Sequence, residues 1–164
     1  MLTKYLTVFF VSMVPIVELR GAIPIAQGFH TVDPNFNMAI AYVLAVVGNM
    51  LPVPLIFFFA RRVLEWGANK PVIGKFFTFC LEKGHKGGEK LKTTAGKGLY
   101  YALWIFVAIP LPGTGAWTGT LASSFLDMDF KKSVIAVMAG VLTAGVIMAV
   151  LSFAVASGVT AVAH

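Results

Sequence analysis

Cysteine is almost missing: Cys80 is the only thiol in 164 residues. No internal disulfide can form, and no thiolate metal site can be assembled. Histidine is nearly as sparse. His30, His85 and His164 lie far apart, at expected segment ends or loops, so no metal centre is expected. Charge is scarce over most of the length. Outside residues 61–97 there are four basic and four acidic side chains, whereas 61–97 alone carries nine Lys/Arg and three Glu. The net charge of +6 therefore belongs to one stretch. It reads as a topology signal, because cytoplasmic loops collect Lys and Arg. A folded basic face with base-reading elements is absent, so nucleic acid is not an expected partner. No nucleophile–base pair or soluble-type phosphate loop occurs, and neither an enzyme nor a cofactor is expected.

What the chain has in abundance is apolar sequence, 58% of its residues. That is too much for a soluble domain of this size, and the chain reads as one all-α integral membrane domain, 1–164. The N-terminal run faintly resembles a signal peptide, but Glu18 and Arg20 interrupt that pattern. Four apolar blocks follow one another. The first, from Tyr5 to about Phe29, is broken. The second, Pro34 to Ala60, is uncharged and long enough to span. Asp33-Pro34 reads as its helix start, Pro52 and Pro54 as a kink near its end, and Arg61-Arg62 as its stop. The third, Gly98 to Leu126, is broken at Pro110, Pro112, Gly113 and Gly115. The fourth, Ser133 to Ala163, has neither charge nor proline. Between the halves, residues 61–97 form a basic linker, in which Lys75–Lys83 reads as a helix lying on the membrane surface.

Order and spacing repeat. Sliding the first half by 95 residues lays Pro15 on Pro110, and Glu18–Gly21 on Gly113–Ala116. Each broken block follows an apolar run too short to cross a bilayer core of roughly 30 Å, at about 1.5 Å per helical residue. The expected architecture is an inverted repeat, 1–60 and 98–164. Each half is a re-entrant helical hairpin followed by a transmembrane helix, and both termini lie outside. Broken backbone at that depth is tolerated only within protein or beside a watery cavity. In transporters such places bind substrate and ions.

The candidate site residues come from these breaks. Glu18 and Arg20 would each cost roughly 2.5–3.5 kcal/mol facing lipid at a helix centre, so they must face protein, water or each other. Pro15, Gly21 and Pro24 around them favour extended backbone, in which the two side chains point the same way. They read either as a buried ion pair or as a titrating Glu beside an anion-binding Arg. In the second break, Pro110, Pro112, Gly113 and Gly115 let backbone approach a ligand. A helix restarting at Ala116 would aim its N–H groups at midplane, where anions are attracted. Thr114 and Thr118 add hydroxyls, Trp117 an apolar wall with one donor, and Asn49 a polar group from the second block.

The segments Pro15-Ile-Val-Glu-Leu-Arg-Gly-Ala-Ile-Pro24 and Ile109-Pro-Leu-Pro-Gly-Thr-Gly-Ala-Trp-Thr-Gly-Thr120 closely resemble those of the small multidrug export protein family. That family is similar to the DedA superfamily of membrane proteins. The resemblance implies the same paired hairpins in a prokaryotic cytoplasmic membrane, and proton-coupled movement of lipids such as polyprenyl phosphate. Glu18 and Arg20 match the charged first hairpin of that superfamily. The second hairpin departs from it, being uncharged where DedA members typically carry an Arg. The expected function is a small multi-pass transporter, a homodimer among membrane lipids, moving an amphiphilic anion such as a lipid phosphate with protons as coupling ion. The alternatives are proton-coupled export of hydrophobic cationic drugs, and a non-transporting scaffold.

Overall fold

The computed structural model describes residues 1–68, 78, 98–111 and 114–162, all in helices or their connections, with no strand among them. Among the described residues seven helices are bounded, in order: α1 (Leu2–Met13), α2 (Glu18–Val32), α3 (Met38–Met50), α4 (Pro52–Ala68), α5 (Gly98–Ala108), α6 (Ala116–Phe125) and α7 (Phe130–Val162). Two apolar stretches are long enough to cross a membrane, Met38–Ala60 and Phe130–Gly158. Their outer faces carry large exposed apolar side chains: Leu55, Phe59, Ile135 and Phe153 are each about two-thirds exposed. A surface of that kind suits lipid, not water. The described residues are those of an all-helical membrane protein.

Packing follows a reciprocal pattern. α1 lies along α3, and α5 along α7. α2 crosses to α7, and α6 crosses to α4. Small residues permit these approaches. A Cβ on Gly140 would come within 2.9 Å of the Trp104 carbonyl and strike the Val107 side chain, so glycine lets α5 lie directly on α7. Tyr42 of α3 donates to the Leu142 carbonyl of α7 at 2.9 Å, and Ser124 of α6 to the Phe57 carbonyl of α4 at 2.8 Å. Each hydroxyl here finds a carbonyl acceptor, as membrane interiors require.

Three local expectations are corrected. Asp33-Pro34 does not start α3. Lys4 takes the Asp33 carboxylate at 2.8 Å, and Asn37 caps the helix instead, accepting from the N–H groups of Ala39 and Ile40. Asn caps as well as Asp does, and the helix loses only the polar turn before Met38. Arg61-Arg62 end the apolar stretch but not the helix, which runs to Ala68. Helix propagation depends on backbone bonding, not on lipid, and Arg, Leu and Glu are good helix formers. The third correction concerns Glu18 and Arg20. They are not on extended backbone; both lie in the first turn of α2. At Pro52 the chain is interrupted only by Leu51, which keeps helical φ and ψ and its bond to the Val47 carbonyl, and α4 opens on that proline. α6 restarts at Ala116, where the glycines end. Apart from Thr78, the surface helix expected at 75–83 lies outside the described residues, as do Pro112 and Gly113.

Candidate functional site

The first break is a four-residue turn, Val14 to Val17, with Pro15 inside it. Ile16 and Glu18 take positive φ, 73° and 50°. A β-branched residue in that region is a true outlier, and each such residue costs about 1–3 kcal/mol. The turn reverses the chain so abruptly that helix resumes at Glu18, with the Glu18 N–H bonded to the Val14 carbonyl at 3.0 Å. Residues i and i+2 on a helix point about 200° apart. Glu18 and Arg20 therefore reach different places, and they form no salt bridge with each other.

Both reach the second break. α6 begins after Gly115 with no side-chain cap of its own. Its free N–H groups need acceptors. The buried Glu18 carboxylate supplies them, accepting from Ala116 at 3.2 Å and from Trp117 at 3.0 Å. Gly115 makes the approach possible. Its φ of 139° suits glycine alone, and a Cβ there would sit 2.8 Å from the Glu18 carboxyl carbon. α5 ends just before, where Pro110 supplies no N–H to the preceding turn. Arg20 fills that gap. Its guanidinium donates to the carbonyls of Leu111, of Ile109 at 3.0 Å and of Val107 at 3.5 Å. The Thr114 hydroxyl lies 2.7 Å from the Ile109 carbonyl and 2.8 Å from that of Leu111. A carboxylate thus sits on the positive end of α6 and a guanidinium on the negative end of α5, the signs each helix end favours.

Asn49 completes the centre. It is buried on α3, and its Oδ1 has no hydrogen-bond partner. With Glu18, Arg20, Val107, Val141 and Ala144 it walls a cleft too narrow for a water molecule. The Trp117 indole N–H is likewise buried without an acceptor.

Of the residues expected at the site, the structure brings together Glu18, Arg20, Thr114, Gly115, Trp117 and Asn49. Others stand apart from it. Pro15 lies in the strained turn, and Gly21 packs on Val17 within α2. Pro24 sits inside α2 and lines a groove against Met148 of α7. Pro110 closes α5, and the Thr118 hydroxyl bonds back to the Gly115 carbonyl at 3.4 Å. The sequence reading did not anticipate that Glu18 would cap α6. The signal was present: a helix start in apolar surroundings with no Ser, Asp or Asn before it, and a carboxylate inside the broken apolar block of the opposite half. A second cavity, about 920 Å³, was also missed. It opens between α5 and α7, walled by Tyr100, Tyr101 and Trp104 with Asp127, Asp129 and Lys132.

Two apolar spans, helices broken inside apolar sequence, and a buried carboxylate and half-buried guanidinium clamping the broken ends define a membrane protein of transporter-like build. The family described as "Putative small multi-drug export protein" matches residues 18–147, most of the chain, and the protein belongs to that family. The description is of an exporter, not an enzyme. No curated protein and no solved structure matches the chain.

Proposed function

We propose that the protein is a proton-coupled transporter of an amphiphilic anion, such as a lipid phosphate. The observation that carries this reading is the Glu18 carboxylate seated on the Ala116 and Trp117 N–H groups. A helix N-terminus is a ready-made anion site, and here the protein's own carboxylate fills it. A proton taken up by Glu18 removes that charge and frees α6 for the headgroup of the substrate. Arg20, close by on the same helix, adds positive charge. Proton and anion therefore enter together, and the site is stoppered again when the proton leaves.

In this reading α1–α2 and α5–α6 are re-entrant hairpins. α1 and α5, with 12 and 11 residues, rise only about 18 and 17 Å at 1.5 Å per residue. The packing of α1 on α3 and α5 on α7, with α2 and α6 exchanged between halves, supports an inverted repeat. A second copy of the chain would cover the apolar flanks, in a prokaryotic cytoplasmic membrane with the basic linker inside.

The test is flux of a fluorescent lipid phosphate in proteoliposomes under a pH gradient. Glu18→Gln should keep headgroup binding and lose its pH dependence. Arg20→Ala, checked to be folded, should lose binding. Unchanged pH dependence in the first variant, or unchanged flux in the second, refutes the proposal.

A second reading, export of a hydrophobic cation, is favoured by the 920 Å³ cavity, whose aromatic walls suit such a ligand. Loss of drug binding in Trp104→Ala, with Glu18→Gln unaffected, would select it.

A further inference from the structure

An amide oxygen with no donor, inside an apolar span, demands a reason. More than nine in ten buried polar groups are satisfied in folded proteins. Asn49 is 2% exposed, yet its Oδ1 has no partner. The cleft it faces holds no room for a water molecule. Of the other side chains in that cleft, Leu19, Val107, Val141 and Ala144 cannot donate, and Arg20 is committed to the carbonyls that end α5. Ionised Glu18 accepts only; protonated Glu18 carries one O–H.

We infer that Asn49 is the acceptor for protonated Glu18, the place to which the carboxyl group turns when it leaves α6. The proton comes from water and stays on a carboxyl oxygen. That oxygen gives up its α6 N–H and donates to Asn49 Oδ1, while the other oxygen remains free to hold a second N–H. The site thus has two states: with Glu18 on α6 the Asn49 Oδ1 lacks a donor, and with Glu18 on Asn49 that donor is supplied and an α6 N–H is released for a ligand.

This inference rests on the reading of Glu18 as proton carrier. The groups facing Glu18 are few. Arg20 shares its helix, α3 offers Asn49, α5 Val107, α6 its N–H groups, and α7 Val141 and Ala144. α1 carries Lys4 and Tyr5, which engage Asp33 and Asn37 beyond the far end of α2. Among these described groups, Arg20 is the one charged neighbour of Glu18.

The experiment is infrared difference spectroscopy of the full chain in lipid nanodiscs, acid minus neutral. The carboxyl carbonyl band is assigned by its loss in Glu18→Gln. Asn49→Leu keeps the branched shape and removes the acceptor. Its band should move to the higher frequency of a carboxyl group without a hydrogen bond. Its half-titration point should fall by about one pH unit, a tenfold weaker hold on the proton. Asn49→Val should behave alike, and carries the test if Leu is not accommodated. A Glu18 band that neither moves nor titrates differently in these variants overturns the inference and leaves the proton-carrier reading standing. Absence of any Glu18 band in the unaltered protein overturns both.

Discussion

Glu18 and Arg20 stand two residues apart on α2 and clamp opposite ends of the same break in the other half of the chain. The carboxylate holds the N-terminus of α6, and the guanidinium holds the carbonyls that close α5. Neither charge neutralises the other directly. Each is matched by the end of a helix, so the break at 109–115 is held open by residues almost a hundred positions away.

That arrangement makes Arg20 a structural donor before any ligand arrives. Arg20→Ala removes one donor from each of the Leu111, Ile109 and Val107 carbonyls and should cost about 1–3 kcal/mol of stability. Arg20→Lys should recover only part, because an ammonium is a point donor without the planar fork of guanidinium. Thermal unfolding in detergent measures both, and equal stability of all three proteins would contradict it.

Thr114 shares the Ile109 and Leu111 carbonyls with Arg20. Loss of both donors should therefore not add. The double variant Arg20→Ala/Thr114→Ala should be less stable than the sum of the single losses predicts, by at least about 0.5 kcal/mol. Strict additivity in a double-mutant cycle would show that the two donors act independently.

Gly115→Ala meets two obstacles at once, a φ of 139° and the Glu18 carboxyl group. The expected loss is about 2 kcal/mol or more from backbone strain and collision together. Removing the carboxyl group relieves only the collision, so Glu18→Ala should rescue Gly115→Ala in part. No rescue in the double variant would mean that the carboxylate is not against residue 115.

Lys4 and Asp33 tie the start of α1 to the end of α2. The hydrogen bond from Lys4 holds the Asp33 carboxyl below its ordinary range, with smaller help from the Asn35 N–H and the charge of Lys4. A depressed folded value means stability that is fully present above the unfolded value of about 4 and lost as pH falls through the folded one. The pair is only partly buried and is screened by water, so the effect is small. Asp33→Asn should flatten the acid limb of the melting temperature against pH, and an unchanged limb would assign that limb to other groups.

The sequence made the breaks easy to find and hid what holds them. Proline and glycine at 110–115 announce a broken helix, and α6 duly starts at Ala116. The long apolar runs announce α3 and α7. By contrast, the contacts of Glu18 with Ala116 and of Arg20 with Leu111 join residues about ninety or more apart, and no local pattern encodes such a distance. The choice of Asn37 over Asp33 as the cap of α3 was hidden for a similar reason, because it depends on Lys4, which lies on another helix. The expectation of extended backbone at Glu18 failed on a finer point. One proline and two left-handed residues complete the reversal within four positions, and Gly21 and Pro24 are absorbed into the helix that follows.

The central claim is that the Glu18 carboxylate is the removable occupant of the α6 N-terminus. Backbone amide chemical shifts of Ala116 and Trp117, followed by NMR against pH in lipid nanodiscs, test it most directly. The account predicts that both amides move with the midpoint of Glu18 protonation and stay fixed in Glu18→Gln. Amides that ignore the protonation of Glu18, or that titrate unchanged in the variant, would contradict it.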